Sequence, residues 1–133
     1  MIRRLLVDAD WLVGAFRDED AHHQMAAKSV ARHEEREDEL YVLNLVLQET
    51  GTVLSHRTGM RAVRLFWEKL PKLGLKKIGL DEELEDEVWR VFLKQTKKGC
   101  SFVDCANLVV MGKYKLDGIL TWDEFYPKDI RVR

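Results

Sequence analysis

The stretch Arg4-Leu5-Leu6-Val7-Asp8-Ala9-Asp10-Trp11-Leu12-Val13-Gly14-Ala15-Phe16 decides the fold. Leu5 to Val7 is an apolar run long enough for one buried strand and too short for a helix. Asp8 closes that run. Asp10 then stands where a cap would precede a helix whose apolar residues are Leu12, Val13 and Phe16. A carboxylate at the carboxyl end of a buried strand lies where open α/β sheets bind their ligands. Taken alone, the Asp-x-Asp is equally a turn and a cap, so the rest of the chain has to decide.

Outward from that junction, short strands read at Tyr41-Val42-Leu43, Leu75 to Leu80, Ile119-Leu120 and Ile130-Arg131-Val132. Lys76-Lys77 inside the second of these marks it as an edge. Helical patterns fill the gaps. Asp20 is predicted to cap a helix that buries Ala21, Met25, Ala26 and Val30, and Asn44 to cap one with an apolar arc of Leu45, Val46, Val53 and Leu54. Val63, Leu65, Phe66, Trp67 and Leu70 mark a helix ending near Pro71, and Leu84, Val88, Val91 and Phe92 form a buried stripe behind Asp81-Glu82-Glu83. Ser101 and Asp104 match a capping box ahead of Ala106, Val109 and Val110. His22-His23 point about 100° apart on a helix, so they read as surface or helix-end histidines and not as a chelating pair. Glu34 to Glu39 reads as a solvated helix end and turn. The alternation of strands and helices predicts a parallel sheet with right-handed crossovers and helices on both faces.

A chain of 133 residues fits one domain with a real core. Its 22 basic and 23 acidic residues nearly cancel, which argues against a strongly basic nucleic-acid coat protein but leaves room for a nuclease with a local patch. No apolar run approaches the length of a membrane span, and Arg3-Arg4 is followed by too few apolar residues for a signal peptide. Cys100 and Cys105 form neither a Cys-x-x-Cys pair nor a disulfide framework, which suits a cytoplasmic protein.

Four carboxylates then converge on one edge of the predicted sheet. Asp8 and Asp123 follow strands; Glu49 and Asp104 lie in the first or second turn of helices. Glu49 falls inside the apolar arc of its helix, where an unpaired carboxylate would be costly. At about 4 Å and an effective dielectric near 20, one like-charge pair costs roughly 4 kcal/mol, which a bound divalent cation would remove. Carboxylates with water favour hard ions such as Mg²⁺ or Mn²⁺, which suit phosphoryl chemistry.

Val7-Asp8, Glu49 within Val46-Leu47-Gln48-Glu49-Thr50, Ser101-Phe102-Val103-Asp104, and Thr121-Trp122-Asp123-Glu124-Phe125 together resemble the PIN domain. Length and motif spacing are most similar to the VapC-type toxins of toxin–antitoxin pairs. The resemblance implies a PIN-like three-layer α/β/α sandwich with a mostly parallel sheet of four to five strands, as one nuclease domain over residues 1–133. It implies a metal-dependent endoribonuclease in which Asp8, Glu49, Asp104 and Asp123 hold one or two Mg²⁺ or Mn²⁺ ions and cleavage leaves 5′-phosphate and 3′-hydroxyl ends. It also implies a homodimer held inactive by a cognate antitoxin. Asp10 stands where many members carry Asn or Ser; with Ser101 and Thr121 it is a candidate to orient the carboxylates. Candidate phosphate contacts are Arg57, Arg61, Arg64, Lys97 and Lys98, and Trp11 and Trp122 could stack on bases. Two other readings compete: a non-catalytic binding module on the same fold, and a small phosphatase using Asp8. The phosphatase reading is weakened by Trp11, since the Asp-x-Asp of such enzymes is usually followed by a small hydroxyl residue.

Overall fold

The computed structural model describes residues 1–133. Its strands are β1 (Arg4–Val7), β2 (Glu39–Leu43), β3 (Lys76–Ile78), β4 (Gly118–Leu120) and β5 (Arg131–Val132). Its helices are α1 (Ala9–Phe16), α2 (His23–Glu35), α3 (Asn44–Arg57), α4 (Met60–Lys69), α5 (Glu82–Leu93) and α6 (Phe102–Lys113), with a 3₁₀ turn over Leu70–Leu73. All strand pairs are parallel and the order is β3-β2-β1-β4-β5. The fold is the expected α/β sandwich, and the lysine-bearing strand is indeed an edge. No helix is long and apolar enough to cross a membrane.

The centre of the sheet explains why the opening stretch dominates. Leu5, Leu6 and Val7 are fully buried, each contributing about 1.5–3 kcal/mol relative to exposure. β1 pairs with β2 on one side and β4 on the other, with Val7 opposite Leu120. From β1 the chain runs through α1 and α2 to β2, then through α3 and α4 to β3. It returns through α5 and α6 to β4, on the other side of β1. Strand order therefore reverses between β1 and β4, and right-handed crossovers place α1 to α4 on one face and α5 with α6 on the other. The crevice at such a reversal, outside the strands' carboxyl ends, is where open sheets bind ligands. The Asp8 amide donates to the Leu120 carbonyl at 3.0 Å, which ties the two strand ends together.

Several local expectations shift. The cap of α1 is Asp8, whose carboxylate accepts from the Ala9 amide, while Asp10 lies inside the first turn. Asn44 is the first residue of α3 and caps nothing, because β2 runs straight into the helix and Leu43 takes the cap position. α2 begins at His23, after a turn in which Asp20 accepts from the His22 amide at 3.0 Å. Its buried residues are Ala26, Ser29 and His33; Ala21 and Met25 are exposed. That face is set by Trp11, which is fully buried and donates its indole N–H to Ser29 at 2.9 Å. Trp11 therefore cannot stack on a base. The segment read as a solvated turn holds Asp38, whose side chain is wholly buried against His33 at 2.8 Å. At β4 the sheet needs glycine: a Cβ on Gly118 would stand 2.6 Å from Val132 and 2.9 Å from the Ile130 carbonyl.

Candidate functional site

The site gathers at the reversal point. Carboxylate oxygens of Asp8, Asp104 and Asp123 all lie within 4.8 Å of one another. Each is presented by a local device. Asp8 caps α1 at the end of β1. Asp104 is the third residue of α6 in a capping box: Ser101 Oγ accepts from its amide at 3.0 Å, and the Ser101 amide donates to Asp104 Oδ2 at 3.0 Å. Asp123 follows β4 and accepts from the Phe125 amide at 2.9 Å in a tight turn.

Thr121, buried at the end of β4, joins the group. Its hydroxyl donates to Asp8 Oδ2 at 2.8 Å and accepts from the Asp123 amide at 3.0 Å. Asp10 stands 3.3 Å from the same hydroxyl and accepts from the Trp122 amide at 3.0 Å. A hydroxyl has one proton to give. Asp8 has the shorter contact, so Asp10 faces an oxygen it cannot be paired with while ionised. Burial, then the nearby charges of Asp10 and Asp104, push the Asp8 carboxyl up to about 8 against the pull of its Thr121 and Ala9 hydrogen bonds. Burial and then the charge of Asp123 leave Asp10 raised to about 6 despite its backbone partners. These acids are short of positive charge.

Glu49 is not part of the triad. It is exposed on α3, whose buried residues are Val46, Leu47, Thr50 and Leu54. The expected place inside the apolar arc is corrected by this: α3 is rolled so that Thr50 and not Glu49 faces the core, where Thr50 bonds back to the Val46 carbonyl at 2.7 Å. Glu49 still senses the site, since desolvation and then the charge of Asp104 raise its pKa. It lines a cleft beside the triad together with Asp10 and Arg57. Of the basic candidates only Arg57 reaches that cleft; Arg61 and Arg64 are exposed on α4, and Lys97 and Lys98 are exposed in the loop before α6.

Two residues that the sequence did not single out touch the carboxylates. Asn107 is fully buried and its amide nitrogen donates to Asp8 Oδ1 at 3.3 Å and to the Tyr126 hydroxyl at 3.0 Å. Tyr126, also buried, donates to Asp104 Oδ1 at 3.3 Å. The chain Asp8–Asn107–Tyr126–Asp104 thus links two acids far apart in sequence. Asn107 Oδ1 is left buried without a partner, a cost of about 1–3 kcal/mol that a purely structural amide would avoid. Burial and the charge of Asp8 push the Tyr126 phenol well up, so it stays a proton donor. Asn107, one turn beyond Asp104 on the buried face of α6, was the one legible signal; Tyr126 sits in a loop and carried none.

The donor set fits a hard divalent cation. Three carboxylates converge, no lysine or arginine pairs with them, and burial followed by the neighbouring acids raises the Asp8 carboxyl. The model of the PIN domain family matches residues 5–127. No curated protein matches the chain in sequence. Among solved structures, VapC20 of Mycobacterium tuberculosis, a sarcin–ricin loop cleaving toxin, is similar with a TM-score of 0.81 at 23% identity, over 91% of each chain.

Proposed function

The chain belongs to the PIN-domain family, and on that footing we propose that it is a metal-dependent endoribonuclease, the toxin of a toxin–antitoxin pair. The observation that carries the reading is the convergence of Asp8, Asp104 and Asp123 with no cation of the protein's own among them. Asp8, Asp104 and Asp123 would hold Mg²⁺ or Mn²⁺, one ion or two, with Glu49 adding negative charge from across the cleft. When bound, such an ion activates water and neutralises a phosphodiester. The protein's own residues do the positioning. Thr121 fixes Asp8 and the backbone of Asp123; Ser101 fixes Asp104; Asn107 and Tyr126 hold Asp8 and Asp104 to a common spacing.

RNA would approach over the open side of the triad, with Arg57 in the adjoining cleft and Arg61, Arg64, Lys97 and Lys98 outside it as phosphate contacts. In this reading the active unit is one domain over residues 1–133, cytoplasmic, paired with a second copy, and silenced by an antitoxin whose basic side chain would satisfy the same acids. The test is cleavage of RNA by purified protein. Activity with Mg²⁺ or Mn²⁺, lost with chelator and lost in Asp104→Asn, is the expected result; cleavage that persists in chelator or in Asp104→Asn overturns it. The similarity of VapC20, a sarcin–ricin loop cleaving toxin, makes ribosomal RNA the first substrate to try.

A further inference from the structure

The cleft beside the triad has a wall, a floor and a rim that suit one kind of ligand. It encloses about 330 Å³, the scale of a small-molecule pocket. One wall is His22. Its ring lies against the indole of Trp122, with centroids 5.2 Å apart and planes 11° from parallel. Its side chain is still 46% exposed, and it lines the cleft. The platform is set in advance, because the His22 amide is held by Asp20. The floor is apolar, from Val13 and Val53. On α3, Glu49, Val53 and Arg57 recur every fourth residue and form one stripe about 12 Å long, with an acceptor at one end and a donor at the other. Arg57 is only loosely engaged, 3.8 Å from Asp20, and keeps free N–H groups.

An anion and a metal ion fit badly. An anion would meet Asp10, Asp20 and Glu49. A metal ion would need converging ligands, and these three acids form no such group; only Asp8, Asp104 and Asp123 do. A stacking wall, an apolar floor and a rim that offers a carboxylate and a guanidinium fit a planar, uncharged heterocycle. Among RNA bases guanine fits best. Its adjacent N1–H and N2–H groups suit a carboxylate, and its O6 and N7 suit arginine. Uracil offers one N–H between two carbonyls. Single-stranded RNA is commonly read by stacking and by such edges.

We propose that this cleft is a guanine-binding pocket that fixes where RNA is cut, with His22 as the stacking platform and Glu49 and Arg57 as the polar ends. The proposal rests on the RNA-cleaving reading, but its binding step is measurable without cleavage. Guanosine is titrated into the protein free of divalent cations and followed by NMR of the His22 ring. Saturable shifts with guanosine, at least fivefold weaker with adenosine, cytidine or uridine, are expected. Loss of those shifts in Arg57→Ala is expected too. On RNA, His22→Ala should raise KM about tenfold and spread the cut positions, whereas His22→Phe, which keeps a flat ring, should restore both. No response to guanosine, an equal response to all four nucleosides, or an unchanged cleavage map in His22→Ala overturns the pocket. Guanosine binding without any RNA cleavage supports the pocket and overturns the nuclease reading instead.

Discussion

Acidic side chains stand at both ends of the central sheet, and the two ends treat them oppositely. At the amino ends of the strands, Asp38 lies just before β2 and Asp117 just before β4. Asp38 accepts from the Arg3 amide at 2.9 Å, from His33 at 2.8 Å and from Arg36 at 3.1 Å. Asp117 accepts from the Arg4 amide at 2.7 Å. Burial pushes the Asp38 carboxyl up, but its hydrogen bonds outweigh that and hold it down to about 2. At the carboxyl ends, Asp8 is pushed the other way, to about 8, with only neutral donors around it. The same residue type at a strand end is thus a completed anchor in one place and a buried carboxyl with no cationic partner in the other. Whether a cation already belongs to the fold separates the two.

Substitutions should separate them as well. The largest effect is expected for Asp8→Asn, which keeps a side-chain oxygen for the cap but removes a ligand charge. RNA cleavage should fall by about a thousandfold or more, while the melting temperature without metal holds or rises, since a carboxyl that must take up a proton to be buried is gone. A marked loss of stability would mean that Asp8 is an anchor like Asp38. The reverse pattern is expected for Asp38→Ala. Removing one partner of a buried, charge-assisted cluster should cost about 3 kcal/mol by denaturant unfolding and leave kcat within a few-fold where the protein stays folded.

Tyr126→Phe tests the bracket between Asp8 and Asp104. It deletes one hydroxyl, and Mn²⁺ affinity by titration calorimetry should fall about tenfold with little change in melting temperature. Equal affinity would make Tyr126 part of the packing alone. The smallest and broadest effect is on pH. The Asp38 carboxyl is depressed below its ordinary 3.8, so the stability it contributes is present above about 4 and is lost as pH falls towards about 2. The Asp8 carboxyl is raised, so the folded state keeps a proton that the unfolded state releases. Metal-free stability should therefore decline as pH rises from about 4 to about 8. Unfolding midpoints across that range, repeated with Mn²⁺, should show the cation flattening the upper slope and leaving the acid limb untouched.

Much of this was readable along the chain. Leu5 to Val7 announced a buried strand because an apolar run that short has no other economical use. Lys76-Lys77 announced an edge because charged side chains on a central strand would be buried on both faces. The register of α3 was not readable. Leu45 and Val53 bracket Glu49 on a helical wheel, yet the helix rolls towards Val46, Thr50 and Leu54, and Glu49 is left in the cleft. Wheel positions fix relative angles, and only the neighbouring helices and strands fix the zero of that angle. Asp38 failed for a related reason: within a run of charges nothing local says which member will meet His33 and Arg3.

The alternation of strands and helices, the expectation of a parallel sheet and the acids that follow its strands were readable from the sequence by itself, because periodicity and strand-end residues are local quantities; the order β3-β2-β1-β4-β5 was not. Which acids come together, which are already satisfied, and that Asn107 and Tyr126 connect Asp8 to Asp104, only the tertiary structure decided. Those outcomes depend on distances between residues more than a hundred positions apart and on burial that deprives a charge of water. Neither is written in any one segment of the chain.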